Sequence, residues 1–203
     1  MPEYPPEPWH LAGQAYLSVW TVPRADLPRV PAEVTPVTLG GRAIVWTAWI
    51  DYRPPGALAY HELLAAVVVR NGLRATATIT EIWVDSEVSL AGGRALWAIP
   101  KDLATLEFRH GRGFAAAAST ASGWIATAAF VPRGVPAPAP PAGFSIAQAA
   151  AEGVRTSAVR SAGRPQPATA SWNVNADGPL GYLAGRRPLA SGHLKDFRIR
   201  FGG

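Results

Sequence analysis

The sequence predicts a β-rich α+β fold, antiparallel and barrel-like, with few short helices. Three observations carry that expectation. Short runs of aromatic and β-branched residues recur along the chain, proline and glycine clusters separate them, and only one stretch carries helix-capping signals. The chain has 203 residues, 48% hydrophobic and 16% charged, a composition that supports one sizeable core. One domain over residues 1–203 is therefore expected.

Taken in order, residues 15–22 are dense in aromatic and β-branched side chains and end as a strand at Pro23. Residues 42–52 (RAIVWTAWIDY) form the next, bounded by Gly40-Gly41 and Pro54-Pro55-Gly56. Residues 60–70 and 73–84 pair as a hairpin across Asn71-Gly72, the strongest short-range turn signal in the chain. These four strands make a meander. Asp85 or Ser86 then caps a short helix to about Trp97, weakened in its middle by Gly92-Gly93 and ended by Pro100. Lys101 follows at the entry to an extended segment, a loop-to-strand junction where functional groups are often presented.

Residues 114–120 and 124–131 form a second hairpin across Ala121-Ser122-Gly123. The proline-rich run 132–141 reads as a crossover within one fold, because the remaining stretch of about 60 residues is short for an autonomous core. Further strands are expected at 153–161 and 168–174. The last covers 195–201, where Phe197, Ile199 and Phe201 alternate with Arg198 and Arg200.

Composition removes several function classes. The chain has no cysteine, which excludes disulfides, thiolate metal sites and a cysteine nucleophile. The opening MPEYPPEPWH lacks the basic and apolar regions of a signal peptide, and the longest apolar run, residues 63–69, is far below the roughly 20 residues of a membrane span. A cytoplasmic location without membrane contact is expected. The formal charge of +5 raises the question of nucleic acid, but the arginines are scattered and no basic block interleaves with aromatics, so no such partner is expected. Arg109/Arg112 and Arg186/Arg187 read as solvated loop charges or subunit contacts.

His10 and His61 have no partner at metal-ligand spacing, and His193 in SGHLK reads as a turn residue, so neither metal nor cofactor is expected. Ser18, Ser119 and Ser122 lack a nucleophile elbow, and GGRAL is neither a phosphate loop nor a dinucleotide fingerprint. Trp20, Trp46, Trp49, Trp83, Trp97 and Trp124 read as core or cavity walls.

Seventeen of the nineteen basic residues are arginine, leaving only Lys101 and Lys195. A guanidinium cannot deprotonate in a protein, so lysine is kept where a deprotonatable amine or a compact head group is needed. The segment GRALWAIPK, residues 93–101, is similar to the signature of acetoacetate decarboxylases, a Gly-Arg-Glu run followed after a few residues by Pro-Lys and often a second Lys. Trp83-Val84-Asp85 resembles that family's aromatic-x-Asp strand end. Trp172, Gly178-Pro179, Pro188-Leu189 and the closing LKDFRI resemble its C-terminal landmarks in order and spacing.

The resemblance implies a barrel-like α+β domain with an enclosed apolar cavity, assembled as a homo-oligomer. It implies Lys101 as the imine-forming amine and Glu62 as the group that handles protons. Gln14 falls about where the family places an arginine that engages the substrate carboxylate. With Arg94 as a source of positive potential and Trp97 as a wall residue, it completes the candidate substrate contacts. The implied activity is that of a lyase on a β-keto or α-keto acid, by decarboxylation or by aldol or dehydration chemistry. Four departures count against acetoacetate itself: Asp102 where a second lysine is common, Gln14 in place of the carboxylate-engaging arginine, Ala95 in place of the motif's glutamate, and no carboxylate at residues 45–47.

An amine attacks a carbonyl only when neutral, so a lysine of ordinary pKa near ~10.4 needs depression by several units. Without a neighbouring lysine, desolvation is expected to supply it, with apolar mass from Leu96, Trp97, Ile99 and Leu103. Asp102 would oppose it on reaching the amine, but adjacent strand residues point to opposite faces. A second reading is a non-catalytic ligand-binding or assembly protein that retains the same fold.

Overall fold

The structure is a computed structural model that describes residues 2–203. Long alternating segments build a mixed sheet of thirteen strands. In chain order these begin with β1 (Trp9–Pro23), two short pieces β2 (Thr35–Pro36) and β3 (Thr38–Leu39), then β4 (Arg42–Tyr52), β5 (Tyr60–Asn71) and β6 (Arg74–Val84). The single α-helix among the described residues, α1 (Glu87–Trp97), follows, then β7 (Lys101–Leu103), β8 (Thr105–His110), β9 (Phe114–Thr120) and β10 (Gly123–Pro132). The chain ends with β11 (Ala142–Ala150), β12 (Gly153–Val174) and β13 (Ala190–Phe201).

The expected meander is present as β1-β4-β5-β6, antiparallel throughout. It closes into a ring through β13 on one side, then β12, and β11 back to β6. Past Ala168, β12 leaves the ring and pairs with β10, carrying β9 and β8 as an extension. The extension packs over the outer face of the meander, so both faces of β4 and β5 are buried. Along β5, Tyr60, Leu64 and Ala66 pack in one core cluster with Ile82, Val84 and Ile146. Leu63 and Ala65 pack oppositely, against Leu106, Phe114 and Phe130 of the extension. The two-residue period of a strand sorts the two cores, and double burial explains why residues 63–69 read as a continuous apolar run.

The ring is not a regular antiparallel barrel. Its closing pair, β6 with β11, is parallel and rests on a single register match, Ile146 with Ala77. β7 also joins β6 in parallel. A side chain completes the closure: buried Gln148 accepts the Ile79 N–H at 2.8 Å, donates to the Ile79 carbonyl at 3.1 Å and accepts the Thr78 hydroxyl at 3.0 Å. It occupies the place of a neighbouring strand where β6 bulges opposite Ala65 and Ala66.

Other differences from the sequence expectation concern extent. β1 starts six residues earlier, because residues 9–13 pair with the chain's closing strand. Residues 153–174 form one strand rather than two, despite Pro165 and Pro167. Both prolines sit between the partners on one side of β12, and there their carbonyls accept the N–H groups of Ala137 and Arg133 from the proline-rich connector. A residue without an N–H is tolerated at that edge. His193 is a buried strand residue of β13, not a turn residue.

Replacing Gln148 by Ala strands the Ile79 N–H and carbonyl in a buried setting. The expected loss is about 1–3 kcal/mol of stability, read as a lower urea midpoint. An unchanged midpoint would show that the ring closes without this side chain.

Candidate active site

Four elements converge on the Lys101 amine. Ser86 caps α1 by accepting the Ser89 N–H at 3.2 Å, and the helix ends at Ala98 in the left-handed region, φ 54°. The Lys101 N–H turns back to the Ile99 carbonyl at 2.8 Å, and β7 then runs alongside β6 with Lys101 opposite Ile82. This turn sends the lysine side chain inward beneath the helix. Gly93 makes the passage: a Cβ there would lie 2.8 Å from both Cδ and Cε of Lys101. The glycine that weakens the helix in sequence terms clears a path for the lysine.

Inside the ring, Lys101 Nζ donates to Glu62 Oε2 at 2.8 Å, Ser89 Oγ at 2.9 Å and Tyr60 Oη at 3.3 Å. Tyr52 Oη donates to Glu62 Oε1 at 3.2 Å, and the Tyr52 and Tyr60 rings stack at 4.5 Å. Lys101 is 4% exposed and Glu62 3%. The two sequence candidates for chemistry thus meet in one buried cluster.

Electrostatics there differ from the desolvation argument. Burial is the largest influence on Lys101 and pushes its pKa down, but the Glu62 charge, Tyr60 and the bonds they make push harder together. The net direction is up, so the resting amine is an ammonium paired with a carboxylate. Tyr60 is raised to about 12, chiefly by burial and then by the Glu62 charge. Burial and Glu62 raise Tyr52 well above the ordinary phenol value. Both tyrosines therefore act as neutral hydrogen-bonding groups. An amine in this setting becomes nucleophilic by giving its proton to a neighbour, and Glu62 stands at hydrogen-bonding distance. That transfer leaves the pair uncharged and requires no outside counter-ion.

The remaining sequence candidates lie elsewhere. Gln14 faces outward and meets His193 Nε2 at 2.9 Å, because the inward positions beside it are Gly13 and Ala15. Gly13 is held there by close approach: a Cβ would sit 2.0 Å from the Asp51 carbonyl. Arg94 Nε donates to the Lys101 carbonyl at 2.7 Å, and its guanidinium pairs with exposed Asp102. It holds the backbone of β7 rather than facing the amine. Asp102 points away from the amine, as strand alternation requires. Trp97 packs edge-on to Trp9 at 4.9 Å and against Phe201 at 4.4 Å, and its indole N–H goes to Glu7.

Sequence reasoning missed Ser89, Tyr60 and Tyr52. The signals were present: Tyr60 is two residues from Glu62 on a strand, and Ser89 is one helical turn from Gly93. Tyr52 needed the register that sets it opposite Tyr60.

A second polar group lies on the outer face of the meander. Buried Asp51 accepts from Arg53 and lies 2.8 Å from His110, while His61 Nδ1 is 2.8 Å from Asp85. His110 belongs to β8, so these contacts tie the extension to the ring. No group of three or more His, Asp or Glu among the described residues is arranged to hold a metal ion.

The architecture is thus a β-ring with a lysine–glutamate pair buried inside it. The acetoacetate decarboxylase (ADC) family model matches residues 3–170, and the chain belongs to that family. Among solved structures, an acetoacetate decarboxylase from Legionella pneumophila superposes with a TM-score of 0.74 at 16% identity, covering 100% of this chain and 88% of that one. The enduracididine biosynthesis enzyme MppR complexed with pyruvate gives 0.71 at 19% identity, covering 98% and 90%. An acetoacetate decarboxylase-like enzyme from Sphingomonas wittichii RW1 gives 0.62 at 16% identity, covering 98% and 92%. These likenesses establish the fold. No curated protein matches the chain.

Two outcomes follow. In Glu62→Gln the desolvation of Lys101 is no longer opposed by a carboxylate, so the amine should titrate below its ordinary value. The pH dependence of amine acylation at Lys101 measures this, and a value still above ordinary would refute the dominance of Glu62 over burial. The His61–Asp85 pair should give a stability window. His61 is raised, chiefly by its bond to Asp85, and its contribution is complete below the ordinary histidine pKa near ~6.5 and lost as pH rises through the raised value. Burial pushes Asp85 up but the His61 bonds outweigh it, so its lowered carboxyl contributes above ~3.9 and loses that contribution as pH falls through its folded value. The urea midpoint gap between the native protein and Asp85→Asn should therefore peak between those limits, and a gap that is flat with pH would count against the pair.

Proposed function

We propose that this chain is a lyase-type enzyme in which Lys101 forms a Schiff base with a small oxo substrate. Membership of the acetoacetate decarboxylase family supports the reaction class. The observation that carries the chemistry is the buried Lys101 amine at 2.8 Å from Glu62, with Ser89 and Tyr60 completing its hydrogen bonds.

In this reading Glu62 takes a proton from the ammonium, and the neutral amine attacks the carbonyl carbon. Water leaves and a protonated imine forms. Its nitrogen accepts an electron pair when a bond to the α-carbon breaks, giving an enamine. Glu62 gives its first proton to the departing water. It then delivers to carbon a proton taken from the substrate's hydroxyl in aldol chemistry, or from solvent when carbon dioxide leaves, and water releases the product and regenerates the amine. Ser89 and Tyr60 position the amine, and Tyr52 positions Glu62. Loss of carbon dioxide from a β-keto acid and aldol or dehydration chemistry of an α-keto acid share this electron sink. The reaction takes place away from membranes in this reading, in the cytoplasm; no helix among the described residues is long and apolar enough to cross one.

Borohydride reduction in the presence of candidate oxo compounds, followed by peptide mass spectrometry, tests the proposal. The expected result is a reduced adduct on Lys101, none on Lys195, and none in Lys101→Arg. A non-catalytic protein of the same fold predicts no adduct with any carbonyl compound. The resemblance also supports a homo-oligomer, and exposed Leu39, Trp46, Phe144 and Leu189 supply apolar surface for it. Light scattering is expected to give a mass of at least twice the 21.4 kDa of the chain; a monomer would remove that part of the proposal.

A further inference from the structure

The charge inventory around Lys101 narrows the substrate. Every position expected to receive a carboxylate lies outside the ring. Gln14 points to His193, and Arg94 points to Asp102. The inward positions nearest Gln14 are Gly13 and Ala15, and on β4 they are Ala48, Ile50 and Tyr52, none of them cationic. No arginine among the described residues is buried; Lys101 is the only buried one of the lysines and arginines. Lys195 lies opposite Arg164 of β12 and follows Leu194, whose side chain packs against the inner core. Arg53 serves Asp51, Arg155 serves the Ala95 and Leu96 carbonyls, and Arg186 serves Asp26.

The one internal cation is already balanced by Glu62. A carboxylate entering with the substrate would be a second anion opposite a single positive charge. The same holds after imine formation, because the protonated imine again faces Glu62 as its only counter-charge. An oxo acid could enter only with a proton that cancels its charge, whereas a neutral ketone or aldehyde needs none.

We propose, on the Schiff-base reading above, that the carbonyl compound handled at Lys101 carries no carboxylate. The reaction is then aldol-type cleavage or formation of a neutral β-hydroxy ketone or aldehyde. In the cleavage direction Lys101 condenses with the carbonyl and water leaves. Glu62 takes the β-hydroxyl proton, and that oxygen's electrons form the new carbonyl. The bond between the α- and β-carbons breaks, and its pair moves through the enamine to the imine nitrogen. A neutral aldehyde or ketone departs. Glu62 then protonates the α-carbon, and water hydrolyses the imine. No oxidant or reductant is consumed.

The test is borohydride trapping of the full chain at neutral pH with a matched set: pentan-2-one, 2-oxopentanoate and acetoacetate. Each yield is divided by that from free N-acetyl-lysine amide under the same conditions, to remove intrinsic carbonyl reactivity. Normalised labelling of Lys101 by pentan-2-one at least tenfold above either acid supports the inference. A smaller ratio, or acids that label better, overturns it while sustaining the Schiff base. Labelling by none of the three overturns the Schiff-base reading, and this inference with it.

Discussion

The lysine–glutamate pair inside the ring is the constraint around which the rest of the molecule is arranged. A lone charge in that position is untenable, since removing one partner of a buried pair typically costs about 3–5 kcal/mol. The fold must therefore bring residues 62 and 101 together from separate elements. Strand alternation turns Glu62 inward, the capped helix and its left-handed exit turn Lys101 inward, and Ser89 and the two tyrosines take up the remaining hydrogen-bonding capacity. Little of this cluster is free to vary independently.

The motif that carries the family resemblance acts largely as a mounting. Gly93 provides clearance for the lysine methylenes, and Arg94 grips the carbonyl of the residue whose side chain lies on the other side of the strand. Asp102 takes up the outward end of the same arginine. Where a motif holds a reactive group, its other members need not touch the substrate. That explains how Ala95 and Asp102 can replace the family's glutamate and second lysine while the amine keeps its place.

The meander, the capped helix and both hairpins were legible because each rests on local signals: Asn71-Gly72, Ser86, Pro100, and the alternation of apolar residues. Lys101 was legible for a chemical reason, being one of two lysines among nineteen basic residues. Long-range geometry was not legible. Gln14 faces outward by plain alternation between Gly13 and Ala15, and which of the two alternating sets lies inside is decided by how β1 pairs with β4 and β13, not by the local sequence. The role of Gln148 depends on a bulge in a strand some seventy residues away, and the continuity of β12 depends on partners that excuse its prolines. The sign of the Lys101 shift was missed for a related reason. Desolvation can be anticipated from neighbouring apolar residues, but a counter-charge from another strand cannot.

The twenty-two residues of β12 belong successively to two sheets, pairing with β11 and β13 in the ring and with β10 in the extension. Neither half can therefore detach while the other stays whole. Backbone amides in the ring and in the extension are coupled to one opening event, so the slowest exchange with deuterated solvent should be shared by both halves, and the Lys101–Glu62 pair is buried by the same transition that folds the outer sheet.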